Sequence, residues 1–268
     1  MPAVVSPKLI EKHLKQSTLV ARAWSILQDD EEINTLLRMA NINAVVRLLY
    51  NDHGPVHARI VAGSALEIMD ILLQSGIEPS GLRHGTLESI DEAKLVVLLG
   101  AYLHDIGNAI HRSNHEFAGA LMSLNILDRL LPQILEENDK KKIGFIKYEV
   151  AHAIYSTAQT VEALTIEASI VKVADATDMA EGRARYPYRK GKTNMHALSA
   201  LAIKRVELDR GEEKPLRINV YMTERAGYFQ LEQVLIPKIK TSMLKGRIEI
   251  QPIVVSNNKQ EKQNIIKP

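Results

Sequence analysis

Residues Ser89 to Gly107 constrain this chain more than any other stretch. Ser89-Ile-Asp-Glu92 has capping-box spacing, with the serine as N-cap and the glutamate three positions on. It introduces a helix over Ala93–Asp105 whose span Leu95–Leu103 carries no charge. A helix apolar on every side offers no face to water, so other elements must wrap it, and the spacing predicts a helical bundle built around it. The doublet His104-Asp105 closes the helix and Gly107 stops it. An ionised carboxylate in so apolar a setting is strongly unfavourable unless something positive compensates it.

The apolar spacing stays helical to about residue 200. Asp29-Asp30-Glu31-Glu32 opens a segment in which Ile33, Leu36, Leu37, Ala40, Val45, Leu48 and Leu49 recur at mostly three- and four-residue intervals, and the acidic start suits the positive end of the helix dipole. Gly54-Pro55 punctuates, and Pro55 fits the first position of a helix over Val56 to Leu73 that ends near Ser75-Gly76. Residues 76–88, with three glycines and a proline, read as a loop. Ser113-Asn-His-Glu116 reads as a second capping box, with Glu116 as its acid, opening a helix to about Leu130 before Pro132. Further helices are predicted at about Ile143–Thr157 and Thr165–Glu181.

After about Ala200 the period becomes two. Val206 and Leu208, then Leu216, Ile218, Val220 and Met222, alternate with polar residues across Arg210-Gly211 and Pro215, which is a β-hairpin pattern. Tyr228–Leu244 reads as a helix that Pro237 should kink, and Ile248–Val255 as another strand. The expected fold is mainly α: a helical domain over 1–200, a small α+β unit of order β-β-α-β over 201–255, and a polar, mobile tail over 256–268. Open edges on so small a sheet point to a homo-oligomer, such as a dimer, formed through the C-terminal domain.

Composition removes several function classes. The chain has no cysteine, hence no disulfide, thiolate zinc site or cysteine nucleophile. Its net charge of +2 argues against a surface built to coat nucleic acid. The longest run free of Asp, Glu, Lys and Arg is Val150–Val161, shorter and more polar than the ~20 apolar residues a bilayer requires, so no membrane partner is expected. The N-terminus lacks a basic segment followed by an apolar block, and a cytoplasmic location is expected.

The histidines show where chemistry should lie. Seven of nine, including His53, His57, His104, His111, His115 and His152, fall between positions 53 and 152. His57 is in the first turn after Gly54-Pro55, His115 in the first turn of its helix, and His152 within Val150-Ala-His-Ala-Ile154. Asp175 follows Ile170-Val-Lys-Val-Ala174, where a lone carboxylate is as unwelcome as Asp105. A single histidine on an apolar face is more often a hydrogen-bonded core residue. Six such groups on or beside the apolar faces of five helices are better satisfied together, by one or two divalent cations. The mixed nitrogen/oxygen set suits manganese or iron foremost, then zinc, cobalt or nickel, whereas magnesium favours oxygen alone. Asp105 could bridge two ions, which would sit ~3.5–4 Å apart and act on a phosphoester.

In this order the residues resemble the HD-domain metal-dependent phosphohydrolases. His57 in His-Ala-Arg-Ile-Val-Ala-Gly, the doublet in Tyr-Leu-His-Asp-Ile-Gly and Asp175 in Val-Ala-Asp-Ala-Thr-Asp carry the resemblance, over about residues 40–185. It implies an HD-type all-α bundle, a His…His-Asp…Asp ligand set, and hydrolysis of phosphomonoesters or phosphodiesters, often nucleotides. Some branches add two histidines and a second metal, and His115, in His-Glu-Phe-Ala-Gly, and His152 fall where those would be. The branch that cleaves cyclic dinucleotides has lysine after Ile-Gly and a Gly-Tyr-Pro signature; this chain has Asn108 and no Gly-Tyr-Pro, which points away from that substrate.

Around the ligands, His53 and His111 are candidate proton donors to a leaving group, and Asp178 is placed to orient a ligand or shuttle a proton. The segment from Glu181 to Lys192 carries Arg183, Arg185, Arg189, Lys190 and Lys192 interleaved with Tyr186 and Tyr188, a candidate substrate lid. The expected function is hydrolysis of a small, nucleotide-like phosphorylated metabolite by a metal-activated hydroxide, with His104, Asp105, Asp178 and His111 in catalytic roles. The alternatives are a di-iron oxygenase on the same ligands and a non-catalytic nucleotide-binding regulatory module.

Overall fold

The computed structural model describes residues 2–183, 195–256 and 259–268. The chain opens with a short strand, β1 (Ala3–Val4), and continues through α1 (Ile10–Leu14), α2 (Thr18–Asp29), α3 (Glu31–Asn41), α4 (Pro55–Gln74), α5 (Ser80–His84), α6 (Ile90–Leu103), α7 (His115–Leu135), α8 (Lys140–Tyr155) and α9 (Ile166–Thr177). Helix α6, uncharged from Leu95 to Leu103, is the axis of the bundle, in contact with α2, α4, α8 and α9. Residues 95–103 are all buried, which leaves the doublet that follows no route to bulk water along its own helix. Ser89 accepts the N–H of Glu92 at 3.2 Å, while Glu92 accepts the N–H of Glu88 at 2.7 Å, one residue ahead of the cap.

Four local expectations are revised. The segment predicted from Ile33 to Leu49 is helical only to Asn41 and continues as a π-helical turn over Ile42–Arg47. The loop predicted over 76–88 contains α5, because the buried carboxylate of Glu167 on α9 accepts the N–H groups of Ser80 (3.1 Å) and Gly81 (2.8 Å) at its start. Helix α7 runs through Pro132 to Leu135, since Leu130, Leu131 and Ile134 keep its apolar stripe in the core on both sides of the proline. The second capping box does not form: Asn114 occupies the N-cap position at φ 56°, with no side-chain cap bond.

The C-terminal part contains α10 (Met195–Ala202), β2 (Ile203–Arg210), β3 (Leu216–Met222), α11 (Tyr228–Gln230), a π-helical turn over Leu231–Leu235, α12 (Ile236–Lys240), β4 (Ile248–Ser256) and β5 (Lys259–Lys262). Pro237 lies in the first turn of α12, where its missing N–H is tolerated. Strands β2 and β3 form the antiparallel hairpin, with Leu208 opposite Ile218, and β3 pairs parallel to β4, with Ile218 opposite Ile250. A parallel pair needs a crossover, and the α11–α12 segment is that crossover. The sheet order is β1-β2-β3-β4-β5, so the β-β-α-β core has its outer edges taken up from within the chain. The tail expected to be mobile supplies β5 and a bridge between Ile250 and Ile266.

The sheet rests on α4 through β2 and β3, and α12 rests on α9. Lys172 of α9 clamps the second contact. Its fully buried ammonium donates to the carbonyls of Ala158 (2.9 Å) and Val161 (2.5 Å), with Thr241 at 3.5 Å. Burial, with the charge of Lys238 nearby, lowers this lysine to about 8. Among the described residues no helix is long and apolar enough to cross a membrane.

Candidate metal centre

Four helices and the turn after α6 deliver the site. His57 enters from the first turn of α4, His104 and Asp105 from the end of α6, His115 from the first residue of α7, and Asp175 and Asp178 from the end of α9. Gly107 sets how closely the turn and α7 approach. A Cβ there would lie 2.0 Å from the carbonyl oxygen of His115 and 2.6 Å from the N–H nitrogen of Gly119, so only glycine lets them touch. That contact brings His115 to the doublet.

The imidazoles are turned alike. His57 donates through Nδ1 to Asp178 Oδ2 at 2.7 Å, and His104 through Nδ1 to the carbonyl of Ala101 at 2.8 Å. His115 Nδ1 lies 3.0 Å from both the carbonyl of Arg112 and the carboxylate of Glu116. Glu116 is therefore a partner of His115, not the capping acid. With each Nδ1 carrying the proton, the Nε2 lone pairs converge. The Nε2 atoms of His57 and His104 are 3.2 Å apart, and Asp105 Oδ2 lies 3.4 Å and 3.3 Å from them. Asp175 Oδ1 is 3.2 Å from His57 Nε2 and 3.6 Å from His104 Nε2, and Asp105 Oδ1 is 3.3 Å from His115 Nε2. Asn108 donates to Asp105 Oδ1 at 2.9 Å, holding the carboxylate in place.

Four acceptors facing one point repel one another unless a proton or a cation lies between them. Burial opposes a charge on His104, yet Asp105 and Asp175 outweigh it and push the imidazole up to about 10, so in the absence of an ion a proton does this work. Asp105, despite burial, is held well below the usual carboxylate range by His104 and His53. Asp175 is likewise held down, against burial, by Lys238 and His104. Against burial again, Asp105 and Glu116 raise His115. Asp105 Oδ2 is buried and makes no hydrogen bond among the described residues. His57, His104 and Asp105 each offer a ligand atom within 4.8 Å of the others, a cluster able to hold a metal ion. The donor set, the orphaned oxygen and the fixed ring tautomers all fit a divalent cation.

The other sequence candidates fall in different places. Asp178 is buried at the cluster and holds His57. His152 is half-buried and turned aside: its Nε2 accepts the N–H of Leu164 at 3.1 Å, so that lone pair is spent on backbone, and burial lowers its pKa. His111 is exposed and accepts the N–H of Ser113 at 2.9 Å. Arg185, Tyr188, Arg189 and Lys192, with the side chain of Arg183, lie outside the described residues.

The cluster opens onto a cavity of about 360 Å³, near the low end of the ~300–1,000 Å³ usual for small-molecule sites. His53 lines it, its Nδ1 donating to the carbonyl of Asn51 at 2.5 Å. Arg112, Gln230, Gln233 and Lys238 also line it, and sequence reasoning overlooked all four. Arg112 donates to His115 Nε2 at 3.0 Å, and Lys238 pairs with Asp175 Oδ2. Nothing local marks them: Arg112 is one charge in a loop, and Lys238 lies far along the chain on a short helix read as part of a different unit.

The HD-domain model matches residues 56–180, the span from the first turn of α4 to just beyond α9. The chain is 43% identical over 221 residues to an uncharacterized protein of Methanocaldococcus jannaschii, a similarity covering 82% of this chain and 84% of that protein. No solved structure matches the chain. With the ligand geometry, the match establishes that the chain belongs to the HD-domain family.

Proposed function

We propose that the protein hydrolyses the phosphoester bond of a small phosphorylated, nucleotide-like substrate. The observation that carries this reading is the convergence of His57 Nε2, His104 Nε2, Asp105 Oδ2 and Asp175 Oδ1 at the foot of the cavity. These four residues would hold one ion, and Asp105 Oδ1 with His115, its Nε2 exchanging Arg112 for metal, would serve a second. A bound divalent ion supplies Lewis acidity there, easing deprotonation of water and neutralising charge on the phosphoryl group.

The chain's own residues do the rest. Asp178 and the carbonyl of Ala101 fix the tautomers of His57 and His104, which keeps both Nε2 atoms as acceptors. Asn108 fixes Asp105. His53 lines the cavity with Nδ1 held by the carbonyl of Asn51, and its imidazole would carry a proton to or from the leaving-group oxygen. This is the role sequence reasoning also offered to His111, whose ring faces solvent. Arg183, Arg185, Tyr188, Arg189 and Lys192 follow α9 closely in sequence and are proposed as phosphate and base contacts.

The test is a screen of aryl phosphates, phosphodiesters and nucleotides on the full chain loaded with manganese or iron. Phosphate release that vanishes together with bound metal in His104→Ala and Asp105→Ala supports the proposal. Unchanged turnover in a metal-free variant, or oxygen consumption without phosphate release, overturns it.

A further inference from the structure

The C-terminal part is not merely attached to the catalytic bundle; it forms a wall of the cavity. Gln230, Gln233, Val234 and Lys238 all come from the α11–α12 segment and all line it. That wall is fixed on the bundle. Gln159 donates to the carbonyl of Gln233 at 2.9 Å, Ala163 N–H to the carbonyl of Thr241 at 3.0 Å, and Met243 N–H to Ser169 Oγ at 3.0 Å.

The lining also carries Asp105, Asp175, Asp178 and Glu116, with Arg112 as a second cation held at His115. A phosphate dianion entering such a cavity meets these carboxylates, and the histidine cluster that would hold metal is not part of the 230–238 wall. Lys238 is a cation on the wall. Its ammonium pairs with Asp175 Oδ2, while Oδ1 of the same carboxylate faces the two imidazoles, so Lys238 stands one carboxylate away from the ligand cluster. An ammonium has three donors in a rotatable group, and one bond to Asp175 leaves donors for a second anion. The side chain keeps 14% of its surface accessible, through the cavity that it lines. Asp175, if it also served a cation through Oδ1, would neutralise Lys238 less completely and leave the ammonium the more attractive to phosphate.

We propose that Lys238 seats the substrate's phosphate, so that substrate recognition is shared between the helical bundle and the C-terminal segment 230–238. The proposal rests on the phosphohydrolase reading above.

The experiment compares the full-length wild type, Lys238→Met and Lys238→Arg, each loaded with Mn2+. Manganese affinity is read by calorimetry, inorganic phosphate affinity by calorimetry on the loaded protein, folding by thermal midpoint, and KM and kcat on an aryl phosphate. The expected result is Mn2+ affinity within threefold of wild type in both variants. Phosphate affinity should be at least tenfold weaker in Lys238→Met and largely restored in Lys238→Arg, with the loss of turnover concentrated in KM. Phosphate binding unchanged in Lys238→Met overturns the inference and leaves the phosphohydrolase reading intact. Joint loss of Mn2+ and phosphate also overturns it, because Lys238 would then only position Asp175. A loaded wild type that binds no phosphate overturns both.

Discussion

Helix α4 carries two buried histidine–carboxylate clusters, one in its first turn and one near its far end, and they solve the same electrostatic problem differently. At the far end His13 of α1 lies 3.0 Å from Glu67 through Nε2, off the hydrogen-bonding direction, and 3.1 Å from Asp70 through Nδ1. Lys12 donates to both oxygens of Glu67, at 2.8 and 2.7 Å, and Lys94 lies 2.7 Å from Asp70. Every carboxylate there has a protein cation of its own. Around His57 the balance is reversed: Asp105, Asp175, Asp178 and Glu116 line a cavity, imidazole Nε2 atoms face one another, and Asp105 Oδ2 has no hydrogen-bond donor among the described residues. A cluster that neutralises itself is structural. One that leaves acceptors converging on a cavity is built for something positive from outside.

Variants can break that contrast, and the largest effect belongs to the open cluster. His104→Ala should take turnover of an aryl phosphate and bound metal to background together, read by activity and elemental analysis in parallel. Glu67→Ala should spare both and lower stability instead. Removing one partner of a buried pair costs about 3–5 kcal/mol, and each kcal/mol lowers the midpoint of a chain this size by about 2–4 °C. Its metal content should equal that of wild type. Turnover lost with Glu67, or metal retained without His104, would erase the distinction.

Smaller effects sharpen it. Asp178→Asn leaves His57 without its carboxylate acceptor and should weaken metal binding by about 10–100-fold, as calorimetry would show. The His13 cluster should reveal itself in the pH dependence of stability. Against burial, Asp70 and Glu67 raise the pKa of His13, while His13 and the lysines lower those of Glu67 and Asp70. The share from His13 is full below its ordinary 6.5 and fades as pH rises through the raised folded value. The carboxylates' share is full above their ordinary 4.5 and 3.8 and fades as pH falls through the lowered folded values. The midpoint difference between wild type and His13→Gln should therefore peak between about pH 4.5 and 6.5 and shrink on either side. A difference that grows above neutrality would contradict the pairing.

How much of this was readable from residues alone follows from which interactions are local. The uncharged run before His104-Asp105 dictated a central helix, and the doublet, His57, Asp175 and Asp178 meet because each ends or begins an apolar helix that has one place to go. The hairpin Val206–Met222 was legible from its period of two. The second capping box was misread because His115 competes for Glu116, and a side-chain pair across one residue leaves no mark in spacing. His152 carries the same local pattern as His57, but its ring is committed to Leu164, a loop contact twelve residues away. Lys238 was invisible because its partner lies sixty-three residues earlier, on a helix of the other unit. The edge strands β1 and β5 were missed for the same reason, since each is short and defined only by the strand it joins.

The central claim is that the acceptors around His57 await a cation, and metal content measures this most directly. Wild-type chain and Asp105→Asn, each incubated with Mn2+ and dialysed free of unbound ion, are assayed by elemental analysis. One or two ions per wild-type chain, with the variant at background, is the expected outcome. A wild-type protein that emerges as metal-free as the variant would show that protons and side chains alone hold the cluster together.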